Sequence, residues 1–228
     1  EIEVCDWSSD VCSSDLCLST PTFKRCASMF ASTSMGNQAK DILSSRFVLF
    51  SCEGTAEGAV IQVLYDNDLL IVPRERVVKD ALIVDRPYTR KRKASEIAND
   101  YFSMNYETAG AEGLVVARIV DSSAPKFEFP KRRQNGTKVL SFLTRPEIEM
   151  LVIHAEGAYR DWENATRRDR QLKPNEFCKQ RLGLGKIKEK DFLEEYWGDG
   201  EKLVKAIKAH AETSKRKNGE LLLVDLLK

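Results

Sequence analysis

Two short apolar runs each end on an acid. Phe47-Val48-Leu49-Phe50-Ser51-Cys52 runs into Glu53-Gly54, and Leu114-Val115-Val116-Ala117-Arg118-Ile119-Val120 runs into Asp121. Runs of this length and composition, without helical period and stopped by turn residues, read as buried strands of a parallel sheet. The carboxyl ends of parallel strands share one rim, where ligands of open α/β sheets bind. Glu53 and Asp121, far apart in the chain, are therefore expected to meet there. Paired carboxylates at such a rim suit a hard cation, magnesium or manganese.

The rest of the first half fits an α/β alternation. Ala56, Ala59, Val60, Val63 and Leu64 fall at helical spacing after Glu53, and Asp66-Asn67-Asp68 closes that helix before a short strand over 69–72. A strand is predicted over 77–84, stopped by Pro87. Ala94, Ile97, Ala98 and Tyr101 then outline an amphipathic helix. Lys138 to Leu143 is a further strand. Thr144 and Glu147 have capping-box spacing with Pro146 between them, which predicts a helix opening at Thr144. Glu149 lies inside that helix among Ile148, Met150 and Leu151; a carboxylate drawn toward the core there would need a cation or hydrogen bonds, so it is a candidate ligand, the alternative being a residue on the polar flank.

Beyond the charged stretch from Arg160 to Lys173 and Pro174 the pattern reads as helices alone, closed by an apolar segment from Glu220 to Leu227. The expected organisation is an α/β domain over 35–160 and an all-helical subdomain over 161–228. Trp197, Phe192 and Leu221 to Leu223 are expected as its core. Leu182-Gly183-Leu184-Gly185-Lys186 is not a phosphate loop, because no strand precedes it and no hydroxyl residue follows Lys186.

Residues 1–34 stand apart. Asp6 to Leu16 resembles a sequencing-adapter oligonucleotide translated in frame, and its flank has neither helical period nor the layout of a signal peptide. The leader is expected to be artefactual, with Met35, or alternatively Met29, as the natural start, the alternative being a genuine polar, disordered leader. Without it only Cys52 and Cys178 remain, which makes neither a disulfide framework nor a zinc site and suits a reducing cytoplasm. The leader holds five acids and two bases, so removing it from 36 bases and 35 acids leaves 34 and 30, a net charge of +4. The bases cluster at Arg90-Lys91-Arg92-Lys93 and at Lys131-Arg132-Arg133. Arg90, Arg92, Lys93, Lys131, Arg132 and Arg133 are therefore candidates for contact with a nucleic-acid backbone, the alternative being solvated loops. No apolar run approaches the roughly 20 residues of a membrane span.

Taken together, Cys52-Glu53-Gly54-Thr55-Ala56-Glu57, the strand ending at Asp121, and Arg145-Pro146-Glu147-Ile148-Glu149 resemble the Toprim fold, in particular the small stand-alone RloB-like and OLD-type Toprim nucleases of bacterial defence loci. The resemblance covers about Phe47 to His154. It implies a mostly parallel sheet flanked by helices and a magnesium-dependent nuclease that hydrolyses nucleic-acid phosphodiesters, with Glu53 as general acid or base and Asp121 as metal ligand. It also implies a role in phage defence, with a protein partner from the same locus. The family's Asp-x-Asp would need an acid at position 123, where this chain has Ser123. Glu149, Glu147 or Glu57 would then complete the metal site, or the core is degenerate and the chain is a non-catalytic nucleic-acid-binding or protein-interaction subunit.

Overall fold

The computed structural model describes residues 36–83, 85–107, 110–121, 127–130, 134, 136–198 and 200–228. The expectations for the leader, for Ser123 and for Lys131, Arg132 and Arg133 lie outside these residues. At the centre is a five-stranded sheet in the order β2-β1-β3-β4-β5, every neighbouring pair parallel. The α/β expectation holds. β1 (Phe47–Cys52), β3 (Leu114–Val120) and β4 (Lys138–Leu143) coincide with the predicted strands, while β2 (Tyr88–Thr89) and β5 (Leu221–Leu222) are two-residue additions at the edges.

Three expectations about strands fail. The segment predicted over 77–84 is not a strand over its described residues 77–83: Val77 makes one isolated bridge to Val48, and the chain then turns because Asp80 Oδ1 accepts from the amides of Leu82 and Ile83 at 2.9 and 3.1 Å. An aspartate that satisfies the backbone two and three residues on offers it an alternative to a ladder. The segment 69–72 is likewise reduced to a bridge between Leu70 and Leu227. The C-terminal part is not helical throughout, since Leu221 and Leu222 join the sheet beside Phe142 and Leu143.

Alternation divides the sheet into two faces. The first carries Val48, Phe50, Cys52, Val115, Ala117, Ile119 and Phe142, and over it pack helix α1 (36–45), α2 (Thr55–Asp66), and, after the next helix in the chain, α4 (Met150–Ala155), α6 (Pro174–Arg181), α7 (Lys190–Trp197) and α8 (Glu201–Thr213). α5 (Tyr159–Arg168) adds Trp162 to the same core. That core runs without a break from Ala39 to Leu227, and includes Trp197 and Leu221 with Phe192 packed against it. α2 lies close on the sheet because residue 58 is glycine: a Cβ there would sit 2.5 Å from the Tyr88 ring.

The second face is covered sparsely. Leu49, Leu114 and Val116 pack against Ile97, Ala98 and Tyr101 of α3 (Ala94–Tyr101) and against Phe129. β4 is left mostly half-exposed. Among the described residues, no helix is long and apolar enough to cross a membrane.

Candidate active site

With the order 2-1-3-4-5, the chain leaves β1 toward β2 on one side and reaches β3 on the other, so the crevice outside the carboxyl ends opens between β1 and β3. Glu53 follows β1 and Asp121 follows β3 at this point. The ladder extends one step past β1, Glu53 N donating to Ile119 O at 3.3 Å, and Glu53 Oε2 accepts from the Asp121 amide at 3.4 Å. The two acids are thus brought together by strand register.

Asp121 is held from the other side by Thr144, at the end of β4. The Thr144 hydroxyl lies 3.1 Å from Asp121 Oδ1 and 3.3 Å from Val120 O, either of which can take its proton. This explains why Thr144 does not cap a helix: its side chain is engaged by β3, and α4 begins only at Met150 after the cis Arg145-Pro146 bond. The capping-box expectation at Thr144 and Glu147 is therefore corrected.

Glu57, in the first turn of α2, is 7 % exposed and Glu149, just before α4, is 5 % exposed, so both belong to the buried edge of the site. The Glu57 carboxylate folds back over the helix start, and a side chain at Gly54 would displace it, a Cβ there lying 2.6 Å from Glu57 Oε2. Glu149 pairs with Lys188 Nζ at 3.6 Å. It also borders an apolar cavity of about 10 Å³ with Ala56, Val60, Ile148 and Trp197, too small for any ligand larger than water. A larger hollow, about 300 Å³ and lined by Phe102, Tyr106, Gly113 and Thr137, opens at the opposite end of the strands.

The electrostatics follow from this crowding. Burial raises the Glu57 carboxyl above the ordinary carboxylate range, and Asp121 and Glu149 push it further, against the amides of Glu57 and Gly54 that favour the charge. Burial also raises Asp121, with Glu53 adding to the shift while Thr144 and Lys188 oppose it. Glu149 is raised by burial and by Glu147, with its own amide and Lys188 opposing. Buried, mutually repelling carboxylates in a crevice favour protons or a cation. Among the described residues, no three or more His, Cys, Asp or Glu side chains gather closely enough to hold an ion by themselves.

Of the basic candidates, Arg92 reaches the site: its Nη1 lies 3.6 Å from Glu53 Oε1. Arg90 is exposed beside it, and Lys93 pairs with Glu96 at 3.6 Å. The loop is tied to the sheet by Lys91, whose carbonyl accepts from Ser51 Oγ at 2.8 Å and whose amide donates to Thr89 Oγ1 at 3.3 Å. Sequence reasoning missed Arg118 and the Asp121 contact of Thr144. The first was signalled by a single charge inside an otherwise apolar strand. Searches against family models, curated proteins and solved structures found no match.

Proposed function

We propose that the chain is a divalent-cation-dependent nuclease of Toprim-like design, hydrolysing nucleic-acid phosphodiesters at the rim between β1 and β3. The observation that carries this reading is the junction of Glu53 and Asp121, with Glu53 Oε2 at 3.4 Å from the Asp121 amide. All the candidate ligands are oxygen donors, as magnesium or manganese requires. Magnesium is commonly held by one or two carboxylates together with substrate phosphates and retained waters, so a pair of acids without a closed protein cage is a fitting half-site. Asp121, oriented by Thr144, is the first ligand, and Glu57 or Glu149 is the reserve donor.

The cation, when bound, supplies charge that polarises a phosphoryl oxygen. Glu53 moves the proton, accepting it from the attacking water or returning it to the leaving oxygen. Arg92 holds the Glu53 carboxylate at the crevice until a phosphate competes for the guanidinium. Action in the cytoplasm, which the two scattered thiols favour, and a protein partner from a defence locus, which rests on the resemblance alone, belong to the same reading.

A second reading, a non-catalytic nucleic-acid-binding subunit, draws on one specific feature. Arg92 and Lys188 neutralise two of the four carboxylates, Glu53 and Glu149. Incubating the protein with labelled single-stranded DNA, double-stranded DNA and RNA, in magnesium, manganese or EDTA, separates the two. Cleavage that needs the cation and falls by about 10²–10⁴-fold in Glu53→Gln supports the nuclease. Cleavage equal in Glu53→Gln and wild type ends that proposal. Binding that weakens steeply with salt, with no strand broken under any condition, favours the second reading.

A further inference from the structure

A lysine from the C-terminal half reaches the carboxylates of the first. The turn between α6 and α7 is pinned by Ile187, which is fully buried and lines the small cavity beside Glu149, and Glu189 N donates to Lys186 O at 2.8 Å across it. With Ile187 turned inward, Lys186 and Lys188 on either side are exposed. Lys188 Nζ lies 3.6 Å from Glu149 Oε1. Its charge also reaches Asp121, where it favours the carboxylate against burial. One ammonium therefore serves two acids of the rim, one after β3 and one ahead of α4.

This contact differs from the ion pair that holds the C-terminal turn. There Arg216 grips Asp225 through two bonds, at 3.3 and 2.7 Å, and both side chains are largely buried. Lys188 meets Glu149 through one longer contact, from a side chain that is 56 % exposed. An ammonium is a point charge on a flexible stem, and an exposed one exchanges its partner for water at little cost. Glu149 is the fixed member, its side chain 6 % exposed among Ile148, Ile187 and Trp197. A buried carboxylate that loses one cation needs another. Glu57 is placed otherwise: the amides of Glu57 and Gly54 favour its charge, whereas that of Glu149 is balanced by a cation that can be exchanged.

We propose that Lys188 is a resident cation of the rim, which neutralises Glu149 and yields it to a divalent ion, magnesium or manganese, so that Glu149 rather than Glu57 joins Asp121 as a ligand. The inference rests on the nuclease reading for the presence of the ion and adds to it a competitor built into the chain. A doubly charged ion displaces a singly charged ammonium from mutually repelling carboxylates, and the lysine sets how much ion that takes.

The test uses the whole chain without nucleic acid. Manganese is titrated in, the free aqueous ion is read by its electron paramagnetic resonance signal, and the rise of Tm with manganese is followed in parallel, because a ligand of the folded state stabilises it. Lys188→Gln is expected to bind manganese about 3–10-fold more tightly, the range for removing a partly exposed charge from the site. Lys188→Arg keeps the charge and is expected to stay within about twofold of wild type. Lys205→Gln, an exposed lysine on α8, carries the same change in net charge and is expected to leave the affinity unchanged. In Glu149→Gln, the further change Lys188→Gln is expected to bring no gain, since the donor it would free is no longer a carboxylate.

Equal or weaker manganese binding in Lys188→Gln overturns the proposal, as does an equal gain in Lys205→Gln. A gain that persists in the Glu149→Gln background overturns the assignment of Glu149. Tighter binding in Lys188→Gln of a protein that cleaves no nucleic acid keeps the resident cation and removes the nuclease. Cation-dependent cleavage with an affinity indifferent to Lys188 does the reverse, and manganese bound by neither wild type nor Lys188→Gln removes both.

Discussion

The two faces of one sheet meet different demands. On the first, side chains stay apolar up to the rim, with Cys52, Ile119 and Phe142 fully buried in register under the helices. On the second, the same three strands place Ser51, Arg118 and Ser141 one residue earlier, under thin cover. A single step along the pleat therefore separates a surface built to exclude water from one that carries polar side chains. The contrast extends to how buried polar groups are treated. Asp225, in the core of the first face, is paired with Arg216 at 2.7 Å and accepts from the Leu222 amide at 2.8 Å, whereas the Arg118 guanidinium on the second lies over the Phe127 ring, its Cζ 4.3 Å from the centroid.

The largest effect that would sharpen this contrast is on stability. Phe50, fully buried on the first face, is expected to cost about 3–5 kcal/mol on replacement by alanine, through lost transfer energy and the cavity left under α2. Ser141→Ala on the second face is expected to change stability by no more than about 0.5 kcal/mol. Urea unfolding of both variants checks the pair; equal losses would mean that the second face is as much a structural core as the first.

A smaller effect comes from the polar seam between α4 and α8. His210 Nε2 lies 2.7 Å from Arg145 O, and Arg145 follows Thr144, whose hydroxyl contacts Asp121. His210→Phe keeps much of the shape but leaves that carbonyl without its donor, and a loss of about 1–3 kcal/mol is expected in the same unfolding experiment. If the seam also positions the rim, magnesium-dependent cleavage falls in this variant while the Ser141→Ala protein retains its fold.

What was legible in the sequence follows the same division. β1, α2, α3, β3 and β4 were readable because each is long enough to show a period or an unbroken apolar run. β2 and β5 were not, since two residues carry no period, and the apolar stretch 77–84 misled because Asp80 bends it into a turn. The meeting of Glu53 and Asp121 could be anticipated, as each ends a parallel strand. Thr144 could not, because its spacing to Glu147 imitates a cap and only the neighbouring strand reveals what its hydroxyl does. Arg118 was visible as an oddity, yet its place beside Ser51 and Ser141 depends on register, which a single strand does not encode.

The smallest expected effect concerns the two histidines of the seam, and its sign can be worked out. His154 stacks on Tyr159, with its Nε2 3.2 Å from Thr213 Oγ1, and lies edge-on to His210, the ring centroids 5.6 Å apart. Burial and the neighbouring His210 lower its pKa to about 4, and burial lowers that of His210, against the Arg145 carbonyl. Both rings therefore bind protons more readily unfolded than folded. Their contribution to stability is complete above the ordinary histidine value of about 6.5 and is lost as pH falls through that value toward about 4. The raised carboxyls of Glu57, Asp121 and Glu149 act in the opposite sense, stabilising the fold at low pH and losing that contribution as pH rises through their folded values. The histidine part is isolated by difference. His154→Gln should narrow the gap in Tm between pH 7 and pH 5 relative to wild type, while Glu57→Gln, acting at the rim, should widen it. A His154→Gln protein with the wild-type pH profile would show that the seam stays solvated, and the apolar face would then be less exclusive than its packing implies.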